Sequence, residues 1–347
     1  MIAPSDLGDV VSRSRTDLEE LRGARILVTG GTGFVGTWLL KSLEHANREL
    51  GLGLTLTLIT RNALDFSKKQ PRLADWVKTI ECDIVSVGVL APYDFVIHGA
   101  TPASATLNDE DPATMRRTIV AGMKSLLEGL EASGAVPLLF TSSGAVYGPQ
   151  VATMQSRPED HENPLVELAT TNAYVDGKRE AEAMALAASL AGGPSLRLAR
   201  LFAFVGPYLP LDTHFAIGNF IRDGISGGPI KVRGDGTAVR SYMYAADMVV
   251  ALLAILIRGE ANRPYNVGSP EAISMRDLAH EVERCLAPSC GVEIAGLAPG
   301  QLPTGAGNRY VPDVNALQTL LGDDPCPTPL DAAIGRTGAW AIDSGFR

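Results

Sequence analysis

Short apolar runs recur along this chain, separated by glycine, proline and charged residues, with stretches of helical spacing between them. Ile26-Leu27-Val28, Leu54 to Ile59, Phe95-Val96-Ile97 and Leu138-Leu139-Phe140 have the length and composition of strands. Strands are predicted at 25–29, 54–59, 78–82, 94–98, 136–141, 195–201 and 264–267, and helices over 34–50, 112–132 and 171–191. Asp111-Pro112 offers an N-cap and a first-turn proline to the middle helix. Strand–helix alternation of this kind predicts an α/β fold on a doubly wound parallel sheet with right-handed crossovers.

Beyond residue 201 the pattern breaks up. Pro207, Pro210, Gly224, Gly227, Gly228 and Pro229 cut the chain into short pieces, and proline and glycine recur from Ala287 to Pro329. The chain reads as a main domain over 24–201, completed by a return to the sheet near 244–267, and a smaller α/β domain over most of 202–335. Residues 1–23 read as an extension outside that fold, helical from Thr16 to Leu21, and 336–347 as a tail over the surface.

Candidate chemistry begins at Thr29-Gly30-Gly31-Thr32-Gly33-Phe34-Val35-Gly36, a glycine turn between the first strand and the first helix. Gly30 permits a sharp turn, Gly33 lets backbone N–H groups approach a pyrophosphate, and Gly36 lets helix and strand pack closely. An ordinary tight turn uses the same glycines; the flanking strand and helix favour a dinucleotide. Tyr174 and Lys178 lie four residues apart on one helix face. There an ammonium would lower the phenol's ordinary pKa of about 10 toward acid/base use. Leu138 to Gly148 reads as a buried strand ending in the hydroxyls of Thr141, Ser142 and Ser143, at the edge where open α/β sheets bind ligands.

Glycine turn, strand-end serine and Tyr-x-x-x-Lys, in this order, resemble the extended short-chain dehydrogenase/reductase family over roughly residues 24 to 320. Arg200-Leu201-Phe202 before Gly206-Pro207, Gly234-Asp235-Gly236 before Arg240-Ser241-Tyr242, Ala246-Asp247-Met248 and Asn266-Val267-Gly268 bring it nearest the nucleotide-sugar epimerase, dehydratase and reductase branch. The resemblance implies a Rossmann-type NAD(P)-binding domain and a C-terminal substrate-binding domain. It implies Tyr174 as catalytic acid/base, Lys178 as the group orienting the nicotinamide ribose, and Ser143 as partner of the reacting sugar oxygen. Toward the cofactor it implies Gly30, Gly33, Phe34, Val35, Gly36, Arg61, Asp83, Ile84, Ala100 and Thr101, together with Tyr174 and Lys178. Toward a nucleotide-sugar it implies Asn219, Phe220, Val232 and Arg240, with Arg240 on a phosphate, Arg309 as a further arginine, and Ser143.

Arg61 follows the second strand where an acid would bind a ribose 2′-hydroxyl, which favours NADP over NAD. Gly144 and Ala145 stand where the family's dehydratases carry an Asp-Glu pair, which counts against dehydration. Ala203 and Ile119 replace asparagines common among relatives. The expected reaction is epimerisation of a nucleotide-activated sugar by hydride transfer at a sugar carbon, C4. An NADPH-dependent ketosugar reductase is the alternative; a 4,6-dehydratase or a non-catalytic nucleotide-binding protein stands behind both. The resemblance also implies a homodimer through the helices near 112–132 and 171–191.

Composition narrows the rest. At 347 residues, 46% hydrophobic and 20% charged, the chain has material for one large and one smaller unit. A net charge of −9 argues against nucleic acid as partner. Cys82, Cys285, Cys290 and Cys326 form no C-x-x-C pair and read as reduced cytoplasmic thiols, a Cys285–Cys290 bridge or metal pair being the alternative, the metal without a His cluster to support it. His98 reads as a packed residue rather than a base; His45, His161, His214 and His280 have no partners in motif register, so no metal is expected. The N-terminus lacks a signal-peptide core, and Met248 to Ile257 is too short to span a membrane, so a soluble protein is expected.

Overall fold

The computed structural model of the protein describes residues 1–101, 105–150, 154–160, 172–295 and 308–346. Strands β1 (Arg25–Thr29), β2 (Thr55–Thr60), β3 (Lys78–Glu81), β4 (Phe95–His98), β5 (Pro137–Ser143) and β6 (Ser195–Leu201) pair in the order 3-2-1-4-5-6. The strand Pro264–Val267 adds to β6, and every pairing in this sheet is parallel. The order reverses between β1 and β4, which opens a crevice at the carboxyl ends of the strands.

On one face, the helices Pro112–Gly129 and Ala173–Leu190 lie side by side. Asp111 and Asn172 cap them, accepting the Thr114 and Val175 N–H groups. A Cβ on Gly177 would lie 3.1 Å from the Ile119 side chain, so the glycine lets the pair close. On the other face lie the helices Phe34–Leu50 and Ala245–Arg258. The latter is the apolar run from Met248, with all twelve residues from Ala245 to Leu256 buried, as an all-apolar helix requires. Among the described residues, no helix is long and apolar enough to cross a membrane.

Two expectations fail at the chain ends. Residues 1–23 do not lie outside the fold: the helices Pro4–Arg13 and Arg15–Glu20 bury Val10 and Leu18, with Leu21 just beyond, in the core that the sheet shares. Their charges, which read as solvent-facing, clamp them to late elements. Asp6 accepts Arg336 at 2.7 Å and the Tyr244 hydroxyl at 2.6 Å, Arg13 reaches buried Asp247 at 2.5 Å, and Arg258 donates to Asp17 at 2.6 Å. The tail is not draped either, because the helix Leu330–Asp343 buries Ile334, Thr337, Gly338 and Ala341.

The remaining pieces pack with one another. The helix Ala216–Ile225 packs on Met275–Leu286, Ile230–Val232 pairs with Val292–Ile294, and Val239–Arg240 runs between Ile273–Ser274 and Arg309–Tyr310.

Candidate active site

The glycine turn is held by close backbone approach. Gly30 has φ +74°, and a Cβ there would lie 2.3 Å from the Gly99 carbonyl beyond β4. A Cβ on Gly36 would lie 2.3 Å from the Gly30 oxygen. Gly33 differs, with an ordinary φ of −80° and no atom nearer than 3.5 Å to a Cβ built on it. The first bond of the helix runs from the Thr37 N–H to the Gly33 oxygen at 2.8 Å. The N–H groups of Phe34, Val35 and Gly36 therefore have no acceptor within the helix, and its positive end faces open space.

At the ends of β2 and β3 the side chains divide. Arg61 is exposed and makes no hydrogen bond or ion pair among the described residues. Asn62 caps the helix Ala63–Lys69 through the Asp65 N–H at 2.7 Å. Glu81, opposite Thr60 in the sheet, accepts the Ala63 N–H at 2.9 Å, so an acid that no motif marked stands at this edge. Asp83 is exposed and accepts the Val85 N–H at 3.2 Å. Ile84 is buried against Gly122, so its side chain packs a helix rather than facing the crevice.

Lys178 lies at the centre. Its Nζ donates to Thr101 Oγ1 at 2.7 Å and to the Thr141 carbonyl at 2.8 Å, above the Phe140 ring at 4.8 Å. Burial lowers its pKa to about 7. Ala100 meets the same corner, its N–H on Thr29 Oγ1 at 3.2 Å. His98 is the packed residue that was expected: its Nδ1 lies 2.7 Å from Thr29 Oγ1, and burial, helped by the Lys178 charge, lowers its pKa to about 3. His161 lies outside the described residues.

Tyr174 and Ser143 come together, the serine hydroxyl close enough to act on the phenol. The expected lowering of the phenol's pKa does not occur in the protein alone. Burial raises it, only the neighbouring Ser143 hydroxyl opposes this, and the Lys178 ammonium is turned to Thr101 and Thr141. Ser143 Oγ also accepts the Ala145 N–H at 3.1 Å and stands by another phenol, Tyr310, whose hydroxyl donates to the Leu201 carbonyl at 3.3 Å and whose pKa burial likewise raises. No motif pointed to Tyr310, which the fold places opposite Arg240. Its ring lies 4.5 Å from that of Phe202. A Cβ on Gly144 would come within 2.6 Å of Phe202 and 2.8 Å of the Tyr310 oxygen. The glycine that replaces an acid thus makes room for these rings.

Arg240 reaches the same cluster. Its guanidinium stands 6.0 Å from the Tyr310 ring centroid and donates to the Val239 and Asn308 carbonyls at 2.8 and 2.9 Å. Arg309 donates to the Gln155 carbonyl at 2.7 Å. The other clamp residues are otherwise engaged. Asn219 gives its amide to the Thr213 carbonyl at 2.9 Å and accepts Arg222 at 3.2 Å. Phe220 and Val232 are 4% and 3% exposed, inside the hydrophobic core, so neither side chain offers a face to a base.

Behind the hydroxyls runs a polar network that joins Ser142, Arg200 and Asn266 of the sequence motifs to Glu182 and Glu159, which no motif marked. Ser142 donates to Glu182 at 2.5 Å, Glu182 pairs with Arg200 at 2.7 Å, and Arg200 lies 4.7 Å from the Tyr147 ring. Tyr147 donates to Asn266 at 2.8 Å, and the Asn266 N–H donates to Glu159 at 3.0 Å.

The family described as the NAD dependent epimerase/dehydratase family matches residues 26–268, which hold the glycine turn, the hydroxyl strand end and the Tyr174–Lys178 helix. The chain belongs to that family. As a member of the NAD-dependent epimerase/dehydratase family it is an enzyme, and its relatives bear this out. It is 28% identical to UDP-glucuronic acid decarboxylase 5 of Arabidopsis thaliana, over 87% of this chain and 84% of the relative. It is 32% identical to UDP-glucuronic acid decarboxylase 1 of that plant, over 78% of this chain and 60% of the relative. Among solved structures, UDP-glucose 4-epimerase of Thermotoga maritima superposes with a TM-score of 0.76 at 21% identity, over 92% of this chain and 99% of the other. A dTDP-glucose 4,6-dehydratase of Streptomyces venezuelae with NAD bound gives 0.75 at 22% identity, over 92% and 97%. These two establish the doubly wound fold.

The family's dinucleotide fits the residues of this site. Open space beside Gly33, three N–H groups without helical acceptors, and a buried ammonium with two of its three donors engaged together form a cradle for a diphosphate and a ribose.

Proposed function

We propose that this chain is an NAD(P)-dependent epimerase of a nucleotide-activated sugar, acting by hydride transfer at a sugar carbon, C4. The reading rests on Tyr174 standing by the Ser143 hydroxyl at the carboxyl edge of the sheet, one helical turn from the buried Lys178. When bound, the nicotinamide ring supplies the acceptor and donor of hydride. Tyr174 takes the proton of the sugar hydroxyl and returns it, and Ser143 donates to the oxyanion as it develops. Burial raises the Tyr174 pKa in the protein alone. The phenolate that takes the first proton would be favoured by the positive charges of Lys178 and of an oxidised nicotinamide ring. The phenol so formed is the group that returns the proton to the ketone. Lys178 directs its third donor at the cofactor ribose and supplies positive charge near the phenolate. Phe34, Val35 and Gly36 hold the cofactor diphosphate, Asp83 and the Ala100–Thr101 backbone line its path, and Arg240 takes the substrate diphosphate with Arg309 behind it. Residues 202–335 supply most of the substrate side.

Arg61 favours a rival reading, an NADPH-dependent ketosugar reductase, because it stands exposed after β2 and unpaired among the described residues. Arg61→Ala should weaken NADPH binding about tenfold or more and leave NADH binding little changed. The decarboxylase relatives raise a third. A ketone at C4 leaves a C6 carboxylate β to a carbonyl, from which carbon dioxide departs as the bond pair passes to the C4 oxygen, and the resulting enolate takes a proton from water at C5. Gly144 and Ala145 carry no carboxylate, which counts against dehydration.

One experiment separates these. The protein is incubated with UDP-glucose, UDP-N-acetylglucosamine, UDP-glucuronic acid and a UDP-4-ketosugar, with NAD or NADPH, and the products are resolved by chromatography and mass spectrometry. An isomer of unchanged mass supports the epimerase. Loss of carbon dioxide or water, or gain of two hydrogens from NADPH, replaces it with the corresponding rival. Bound cofactor with no turnover of any sugar leaves the non-catalytic reading.

The proposed assembly is a homodimer through the helices Pro112–Gly129 and Ala173–Leu190, where Leu186 and Leu190 are exposed. One chain's mass in light scattering would exclude it. Four free thiols suit a reducing compartment, and we assign the cytoplasm.

A further inference from the structure

Tyr174, Lys178 and Glu182 follow one another at four-residue intervals, on one face of the helix Ala173–Leu190. Tyr174 and Lys178 serve the proposed reaction; Glu182 has no part in it. Its carboxylate is fixed from two other elements. Oε1 accepts the Ser142 hydroxyl at 2.5 Å and Arg200 Nε at 3.2 Å, and Oε2 accepts Arg200 Nη2 at 2.7 Å. Both members of the ion pair are largely buried, at 11% and 16% side-chain exposure. A buried pair of this kind is a weak source of stability, because desolvation offsets the attraction. Its placement one turn from Lys178 calls for another account.

We propose that Glu182 is a positioning residue that acts through Lys178: clamped on Ser142 and Arg200, its carboxylate keeps Lys178 an ammonium when the cofactor ribose docks. The inference rests on the proposed role of Lys178 at that ribose. Facing Lys178 are Tyr174 on its own helix, uncharged, and His98 on β4, held neutral by burial; Thr101 and Thr141 only accept its hydrogen bonds. Facing Glu182 are Ser142 of β5 and Arg200 of β6, with Tyr147 and Glu159 on the far side of Arg200. From the helix Pro112–Gly129, Arg116 is paired with Glu180, and Arg179 is bonded to the Val146 carbonyl. Burial drives Lys178 toward neutrality, and Glu182 is the charge that opposes it.

The test measures cofactor affinity against pH. Full-length protein is titrated with NADH and with NADPH, followed by nicotinamide fluorescence, at pH values from about 6 to about 9, around the Lys178 midpoint. Thermal unfolding is followed in parallel. The parent should lose affinity as pH rises through about 7. Glu182→Gln should move that step down by about one unit, and Glu182→Asp should restore most of it. Arg200→Gln, which leaves the carboxylate uncancelled, should move the step up. Shifts of opposite sign from two variants that break the same ion pair cannot come from structural damage alone. An unmoved step in a folded Glu182→Gln protein, or a downward step in Arg200→Gln, overturns the proposal. Should Glu182→Gln not fold, Arg200→Gln and Glu182→Asp decide by the same signs. A pH step that survives in Lys178→Met would overturn the Lys178 assignment itself.

Discussion

Gly33 and Gly36 stand three residues apart in one turn, yet alanine should act oppositely at the two. At Gly36 the new methyl would sit 2.3 Å from the Gly30 oxygen and 2.4 Å from the Gly31 Cα, both backbone. Relief requires the helix Phe34–Leu50 to move about 1 Å away from β1, loosening the packing of buried Trp38, Leu39 and Leu40. Overpacking of this kind costs about 3 kcal/mol, a large share of the ~5–15 kcal/mol that folds a protein. The melting temperature should fall by about 4 °C. At Gly33 the backbone suits any residue, and the nearest atom is 3.5 Å away. Stability should change by less than about 0.5 kcal/mol. The methyl instead occupies the space in front of the Phe34, Val35 and Gly36 N–H groups. Loss of one charge-assisted hydrogen bond there, about 1.5–3 kcal/mol, should weaken NADH binding about 10- to 100-fold. Calorimetric melts and fluorescence titrations read the two quantities separately. A Gly33→Ala protein that melts and binds NADH and NADPH like its parent would refute the cradle; an equally stable Gly36→Ala protein would refute the packing argument.

Three further outcomes are expected. Tyr174→Phe should lower kcat by about 10²- to 10⁴-fold on whichever sugar is turned over, with NADH affinity kept; near-parental turnover would remove Tyr174 from the chemistry. Lys178 has a folded pKa of about 7, below its unfolded value, so the unfolded chain binds more protons and stability rises from about pH 7 to about pH 10. Lys178→Met, measured without cofactor, should therefore melt above its parent at about pH 6 with the gap closing toward about pH 10; parallel curves would contradict the burial of that charge. Arg13→Ala strands the buried Asp247 carboxylate and should cost about 3 kcal/mol in urea unfolding; a loss below about 1 kcal/mol would show that Arg13 contributes only as a surface pair does.

Strand and helix positions were legible because each buried element carries its own period. The sheet strands lie within two residues of their predicted limits, and Asp111 caps where it was expected to. Within the site, the glycine turn, Ser143, Tyr174 and Lys178 announced themselves because their chemistry fixes both residue type and spacing. Tyr310 and Glu182 did not. Tyr310 meets Ser143 across long sequence separation, and Glu182 is indistinguishable from an ordinary helix glutamate until Arg200 and Ser142 are folded against it. Phe220 and Val232 misled for the converse reason, since an apolar residue in a ligand-like position is equally a core residue. The first 23 residues misled through their charge. Asp6, Arg13 and Asp17 have partners more than two hundred positions away, and no local pattern reveals a clamp of that span.

That span has a consequence for biosynthesis. A ribosome releases the helices Pro4–Arg13 and Arg15–Glu20 more than two hundred residues before Tyr244, Asp247, Arg258 and Arg336, which seal them. Until then Val10, Leu18 and Leu21 have no complete surface to cover. The start of the chain must wait, apolar side exposed, for its end, and this interval is when the nascent protein most needs a chaperone.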